Sequence, residues 1–412
     1  MATTLAQQKA VAIAPKFTAF ASILGSSTAA FLVWKRAPNK TTYHRLVLGM
    51  SIVDLIASVA WFFTTWPIPR GTPGVYGAVG TEQTCSAQAF FAQFSLSTVM
   101  YNASLAVYYV LVIVKEKKDH EIARIEPWLH VNAIAWGLGT GVAGLALTLF
   151  NQVGWDCWIS AAPLGCKETW KLEEGEVGTC ERGDNGSLYQ WAFYYAPLWS
   201  VIPLVSLLMY WVYAHVRNQE KQMEKYDRNS VLSRAESKKQ MAKHKRVQNQ
   251  AFMYVGAFLV TWFFPTLFQL VIVIAGKFPF PLLLLTAIFV PIQGLLNLIV
   301  FVRPKFIRYR RANPDINTIV AWFQMLYTEI TGHDVQRAMK ATSRKASSQG
   351  AVPDEFKKTF RISGLKPTLN TLSGVDHVSE DAEEEKEPED AVLDDGEFDD
   401  NPNRTYDEEV SP

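Results

Sequence analysis

The sequence predicts an all-α membrane protein: a seven-transmembrane helix bundle with its N-terminus outside, an amphipathic helix after the bundle and a disordered cytoplasmic tail. Three observations carry this expectation: seven long apolar stretches, gaps that alternate between basic and cysteine-bearing, and a loss of apolar periodicity near residue 332. The stretches cover 17–34, 46–66, 87–114, 128–150, 188–216, 251–275 and 281–302. Each is close to the ~20 residues an α-helix needs to cross roughly 30 Å of hydrocarbon. Inside lipid every backbone N–H and C=O must be satisfied within the segment, so a helix is the reading each stretch supports. An odd number of crossings puts the two ends of the chain on opposite faces.

Charge sets the direction. The formal net charge of +1 hides two opposed blocks: 17 acidic and 2 basic residues follow Gly374, leaving 22 acids against 38 bases before it. Gaps 35–45, 115–127, 217–246 and 303–311 hold 23 Lys and Arg; residues 1–16 and gaps 67–84, 151–187 and 276–280 hold 7. The positive-inside rule assigns the first set to the cytoplasm. Residues 1–16 are then a short extracellular N-terminus. They lack the charged-then-apolar pattern of a signal peptide, so the first span is expected to serve as its own insertion signal. Length permits one membrane domain over 17–302, a basic and amphipathic segment over 303–332 and a tail over 333–412, with no second large soluble core.

All four cysteines, Cys85, Cys157, Cys166 and Cys180, fall in or beside gaps assigned to the outside, where disulfides persist. The sequon Asn185-Gly186-Ser187 lies in the same outer loop and is the candidate glycosylation site. Similar triplets at Asn39, Asn102 and Asn403 fall inside the cell or the membrane, beyond the glycosylation machinery. Four cysteines allow three connectivities. Each of them ties Cys85, at the mouth of the third span, to the second outer loop. That would lay Trp155 and Trp158 across the mouth as a lid.

The spans are sparse in ionisable groups, and Asp54 is the residue placed well inside one. A charge at mid-membrane costs at least ~2.5–3.5 kcal/mol, so such a residue faces the bundle interior. Two readings stand: a cation- or proton-linked switch, or an Asp held by Asn297 or by serines for packing alone. His44, His130 and His215 lie near span ends and read as solvated interfacial groups. One carboxylate is thin for an ion-coupled transporter or pump, and no internal repeat of the transporter kind is found. A retinal protein needs a Schiff-base lysine midway along its last span, and 281–302 contains none. No cofactor, metal or nucleic-acid partner is expected.

Short motifs follow one another along the spans. Leu48-Gly49-Met50-Ser51-Ile52-Val53-Asp54-Leu55 holds the buried Asp, Cys85 heads the third span and Trp136 lies in the fourth. Asp156-Cys157-Trp158 stands in the second outer loop, Trp262-Phe263-Phe264-Pro265 in the sixth span and Pro291-Ile292-Gln293-Gly294-Leu295-Leu296-Asn297 in the seventh. On these residues the chain resembles the G-protein-coupled receptors, and within them the cyclic-AMP-receptor-like and secretin-like side, over about residues 17–311. The resemblance implies a Cys85–Cys157 bridge, leaving Cys166–Cys180 to close a small loop within 165–181. It implies a plasma-membrane receptor, not an enzyme, that passes an extracellular ligand signal to a heterotrimeric G protein. The alternative class is a small-solute transporter or channel. The rhodopsin-like Asp/Glu-Arg-Tyr is replaced by Tyr108-Tyr109 and Lys115-Glu116-Lys117-Lys118, and Asn-Pro-x-x-Tyr by Asn297-Leu298-Ile299-Val300-Phe301. With only a short segment before the first span, a small ligand held among the helices is expected over a peptide hormone.

The expected switch residues are Asp54, Trp262, Phe263, Pro265, Gln293, Gly294 and Asn297. Pro265 has no backbone N–H and opens the helix ladder one turn back, so the sixth span can bend there. Gly294 allows close helix approach, and Gln293 and Asn297 can hydrogen-bond across spans. Trp158, Tyr189, Trp191, Tyr194, Tyr195 and Trp199 read either as ligand-pocket walls or as an interfacial aromatic belt. The outer halves carry no basic cluster for a phosphate, so cyclic AMP itself is not supported. On the basic side, 217–246 reads as helical extensions of the fifth and sixth spans that face a G protein or anionic lipid. Ile316, Ile319, Val320, Phe323, Leu326, Tyr327 and Ile330 mark an amphipathic helix. Ser343-Arg344-Lys345-Ala346-Ser347-Ser348 resembles a basophilic kinase site, with Ser347 and Ser348 as phosphate acceptors.

Overall fold

The computed structural model describes residues 4–35, 40–163, 166, 180–226, 231–276 and 278–332. The tail, with Ser347 and Ser348, lies outside the described residues. Among them, seven helices are long and apolar enough to cross a membrane. One compact unit runs to Lys305 and a second begins at Phe306.

The first span is α1 (Leu5–Trp34). It starts well before residue 17 because Thr4 and Gln7 form a reciprocal capping box, followed by the apolar run Val11-Ala12-Ile13-Ala14. Lys16 does not end the helix. Its ammonium donates to the carbonyls of Phe62 (3.0 Å) and Phe63 (3.1 Å) and lies 3.5 Å from the Trp66 ring centroid. The Phe62 carbonyl is among the orphans at the end of α2 (Thr42–Phe62), so the lysine caps a neighbouring helix. The second span accordingly stops at Phe62 and the chain turns through 63–66.

The third span is interrupted. α3 (Glu82–Ala92) and α4 (Ser95–Ile113) are separated by a turn at Gln93 and Phe94. A short α5 (Asp119–Ile122) leads to α6 (Glu126–Ala146), which carries Pro127 in its first turn, where no N–H is needed. The helical part of the fourth span ends at Ala146, and Phe150 opens a β-hairpin that the sequence did not predict. Strands β1 (Phe150–Gln152) and β2 (Cys157–Ile159) pair antiparallel, with Phe150 opposite Ile159 and Gln152 opposite Cys157.

The fifth span opens with α7 (Gly186–Gln190), passes through a π-helical turn at Trp191–Tyr195 and continues as α8 (Ala196–Tyr226). α9 (Val231–Ala275) carries the sixth span and the helical extension expected before it. The seventh span comprises α10 (Phe280–Phe289), a 3₁₀ turn at Val290–Ile292 and α11 (Gln293–Ala312). Pro291, which cannot donate to a helix ladder, lies in that turn.

The third span is the axis of the bundle: 83% of its apolar window is buried, against 28–56% for the others. α1 and α11 meet at a very close crossing. A Cβ on Gly294 would stand 1.9 Å from Ser26 Oγ and 2.6 Å from Ser22 Oγ, and one on Gly25 would stand 2.7 Å from Leu295 Cα. The Gly294 N–H, freed by the turn before it, donates to Ser22 Oγ (2.9 Å), which also receives Ser58 Oγ–H (2.9 Å).

In the second unit the end of α11 precedes α12 (Thr318–Thr331), the expected amphipathic helix. The Asn317 side chain caps its start and Gly332 ends it at φ +77°. Ile319, Phe323, Tyr327 and Ile330 form an exposed apolar stripe at helical spacing. Phe306 packs on Trp322 at 6.1 Å, and Tyr309 O–H donates to Gln324 Oε1 at 3.1 Å.

Candidate functional site

The hairpin closes the cysteine-bearing end of the bundle. Cys157 is bridged to Cys85 on α3, with Cα atoms 5.3 Å apart, and Cys166 is bridged to Cys180. Gln88, one turn along from Cys85, makes three bonds. Its Nε2 donates to the carbonyls of Ala60 (3.0 Å) and Thr64 (2.8 Å), and its Oε1 accepts the Cys157 N–H (3.0 Å). Ile68, Ala89, Leu149, Phe150 and Ile159 form a small apolar core around the Cys85–Cys157 bridge. The hairpin is therefore anchored covalently, by a buried amide and by packing.

Beneath it lies a set of aromatic rings. Side chains alternate along a strand: Cys157 and Ile159 belong to the packed side, and Trp158 faces the fifth span. Trp158 Nε1–H donates to Gln93 Oε1 (3.0 Å), and Gln93 Nε2–H donates to Thr140 Oγ1 (3.0 Å). The interruption of the third span at Gln93 thus fixes the indole. Trp158 meets Tyr194 at 5.0 Å and 84° and Tyr195 at 5.7 Å and 89°; the two tyrosines meet each other at 6.0 Å and 78°. Consecutive residues of an α-helix point about 100° apart, and the π-helical turn is where Tyr194 and Tyr195 both come to be buried. Tyr194 shares a hydrogen bond with Ser95 Oγ (2.7 Å) and rests on Trp262 of α9 at 5.7 Å.

The other aromatic candidates stand apart from this corner. Trp191 and Trp199 pair with each other at 5.0 Å and flank Tyr195, half-buried. Tyr189 packs against the core of the hairpin. Asn185 is exposed just ahead of α7. Phe263 is 57% exposed and turned out of the bundle, whereas its neighbour Trp262 is buried. Pro265 is buried in α9 one turn from Trp262.

Midway along the bundle, Asp54 Oδ1 accepts from Thr98 Oγ1 (2.6 Å) and Oδ2 from Asn297 Nδ2 (2.7 Å). Asn297 is one of the partners the sequence suggested; Thr98 replaces the expected serines. Spans two, three and seven meet at this carboxyl. Gln293, one turn above Asn297, has neither end of its amide hydrogen-bonded, and Asn297 Oδ1 and Trp262 Nε1 likewise have no partner.

At the basic end the ties run to α9. Gln250 Nε2–H donates to Tyr43 OH (2.7 Å), and Tyr43 and Tyr254 share a hydroxyl bond of 3.0 Å. The Tyr43 ring stacks on Phe301 at 6.5 Å and touches Tyr108 and Tyr109. Beside it, Arg45 holds Glu126 in a two-pronged pair at 2.6 Å for each bond. His130 bonds Tyr101 OH through Nδ1 (2.8 Å) and stands 3.5 Å from Glu126, so it is a partnered group and not the solvated histidine expected.

Sequence reasoning missed Gln88, Gln93, Tyr43 and Asp156. Two glutamines inside an apolar span were a readable signal, because buried amides require partners. Asp156 lies in the hairpin turn with 3% exposure, and its Oδ1 has no hydrogen-bond partner. Burial pushes its carboxyl well above the usual carboxylate range. The folded protein then keeps this proton to higher pH than the unfolded chain does. The contribution favours the fold below about pH 4 and is lost as pH rises through the folded-state value. Asp156→Asn is therefore expected to raise the Tm of the purified protein at pH 8 by about 2–4 °C and to leave it unchanged near pH 4; a melting series across that range checks it.

No protein-family model matches the sequence, and no curated protein matches it. Among solved structures the fold is similar to that of squid rhodopsin, with a TM-score of 0.54 at 12% identity, over 76% of this chain and 87% of the rhodopsin chain. At that identity the likeness carries architecture alone. The chain has the seven-helix fold seen in squid rhodopsin, with seven helices among the described residues long and apolar enough to make it a multi-pass membrane protein.

Proposed function

We propose that the chain is a plasma-membrane receptor, on the cyclic-AMP-receptor-like and secretin-like side of the G-protein-coupled receptors, that passes an extracellular small-ligand signal to a heterotrimeric G protein. The cysteine-bearing end, with its bridges and the Asn185 sequon, faces out, and the basic end faces the cytoplasm. The observation that carries the reading is the double attachment of α9. Trp262 supports the ring corner beneath the hairpin; about two to three turns away toward the basic side, Gln250 and Tyr254 are bonded to Tyr43. Pro265 lies between the ring corner and the outer end of the helix, and the ladder is open one turn back from it. A ligand that displaces the rings has a lever whose far end is released by breaking two hydrogen bonds. It shifts that equilibrium only by its differential affinity for the two arrangements.

Asp54, Gly294 and Asn297 hold the spans against which α9 moves, with Trp262 and Pro265 as its working parts and Gln293 beside them, its amide unbonded. Basic residues over 217–246 and 303–311 suit an acidic G-protein surface and anionic lipid headgroups.

The test is nucleotide exchange on a panel of purified heterotrimers, with the full-length chain in nanodiscs. At least one heterotrimer should exchange faster with the chain present. Tyr43→Phe, which removes both ties to α9 but keeps the ring, should raise ligand-free exchange roughly 5-fold or more, in line with ~1–3 kcal/mol for two buried hydrogen bonds. Solute flux through the reconstituted chain with no exchange on any heterotrimer would identify a transporter or channel instead.

A further inference from the structure

A groove of about 630 Å³ runs between α8 and α9, lined by Ser206, Tyr210 and Tyr213 on one helix and by Lys245, Asn249 and Phe252 on the other. It opens away from the bundle core. Val205, Met209 and Val212 form the buried stripe of α8. Ser206, Tyr210 and Tyr213 each follow one of these by a single position, about 100° round the helix, and all three are exposed. Both helices belong here to membrane-crossing stretches, Gly186–Met223 and His244–Ala275, so the open side of the groove faces lipid.

A lipid-facing surface is ordinarily apolar, because a polar group there needs a polar partner. This one places the Ser206 and Tyr210 hydroxyls and the Asn249 amide beside an apolar floor. The Tyr213 and Phe252 rings meet across the groove at 6.3 Å and 71°. Charge gathers at its basic end. Residues 206–223 and 244–252 carry Arg217, Lys221, Lys245 and Arg246 against a single acid, Glu220. Glu220 pairs with Lys245. Arg217 Nη1–H donates to Tyr213 OH at 2.7 Å, which holds the guanidinium at the groove while leaving it further N–H donors.

We infer that this groove binds an anionic phospholipid from the leaflet on the basic side of the bundle. The phosphate lies at Arg217 and Lys245, the glycerol esters lie beside Asn249, and an acyl chain covers Tyr210 and Phe252. Arg217 and Tyr210 are about 10 Å apart along α8, the span from a phosphate to the upper part of an acyl chain. The inference goes beyond the receptor reading: it needs the bundle to cross a membrane and stands whether or not a heterotrimer couples. A zwitterionic lipid would gain the apolar contact without the charge. A soluble phosphate ester would gain the charge and leave the ring-lined stretch uncovered.

The test is native mass spectrometry of the full-length chain, purified in detergent and offered equal amounts of dioleoylphosphatidylglycerol and dioleoylphosphatidylcholine. Bound phosphatidylglycerol should exceed phosphatidylcholine about 5-fold or more. Arg217→Gln combined with Lys245→Gln should bring the two to near equality. Lys118→Gln combined with Arg124→Gln removes two exposed bases beside α5 and should keep the preference. Asn249→Phe fills the groove and retains every charge, so it separates a site from diffuse attraction; it too should abolish the preference. Should N249F fail to fold, Ser206→Phe carries that arm. The site is overturned if the parent retains the two lipids equally, or if the preference survives in the R217Q and K245Q pair or in the groove-filling variant. It is overturned equally if the control pair loses the preference as fully. Addition of sn-glycerol 3-phosphate should displace no lipid; displacement would assign the groove to a free phosphate ester and remove the phospholipid.

Discussion

Replacing Gly294 with valine is expected to prevent assembly of the bundle. The first added carbon would stand 1.9 Å from Ser26 Oγ, 2.6 Å from Ser22 Oγ and 3.0 Å from the Ser22 carbonyl. Rotating two serine hydroxyls relieves only part of this, because the carbonyl belongs to the helix. On the other side of the crossing Gly25 leaves no slack, as its own Cβ would meet the backbone of Leu295 at 2.7 Å. Separating α1 from α11 would also break the Gly294–Ser22 bond at the start of α11. Overpacking typically costs 1–3 kcal/mol; with main chain on both sides, G294V should cost about 3 kcal/mol or more. Gly139→Ala on α6 is the control: a Cβ there meets nothing within 4 Å, and alanine is the better helix former by about 1 kcal/mol. Yield of monodisperse protein and Tm should collapse for G294V and hold or rise for G139A.

Removing the bridge between α3 and the hairpin should be nearly as damaging. Cys85 and Cys157 are 72 residues apart in the chain, and Cys166 and Cys180 are 14 apart. Chain-entropy reasoning assigns about 4 kcal/mol to the longer loop and about 3 kcal/mol to the shorter. The paired Ala variant at 85 and 157 should therefore melt lower than the paired variant at 166 and 180. It should also lose more than stability. The Gln88 bond to the Cys157 N–H and the Trp158 bond to Gln93 depend on the hairpin staying in register with α3. Faster hydrogen exchange at the residue 157 amide in the first pair, and unchanged exchange there in the second, would separate anchoring of the hairpin from stability alone.

Much of the architecture was legible because a membrane imposes long apolar runs and a charge bias on a chain. The bounds were less so. Lys16 reads as a flanking charge, yet its amine satisfies carbonyls at the end of α2, a contact that depends on how two helices cross. The hairpin escaped notice because three-residue strands carry no measurable alternation. Phe263 belongs to the same short motif as Trp262, but neighbouring helix positions diverge by about 100°, so one ring is enclosed and the other faces out. Tyr194 and Tyr195 are enclosed together where the helix makes a π-helical turn, which no local composition announces. Asp156 was read only as a neighbour of the bridged cysteine. Its burial follows from the fold of the turn that holds it.

The proposed switch requires α9 to be held on its basic side by Tyr43 and to be the element that moves. All four native cysteines are bridged, so labels placed at Lys118→Cys and Arg246→Cys, both on exposed positions, report the spacing between α9 and the end of the third span. Pulsed electron paramagnetic resonance on the doubly labelled chain in nanodiscs should give a single short-distance population in the parent and an added longer one in Tyr43→Phe. Identical distance distributions in the two would contradict the account.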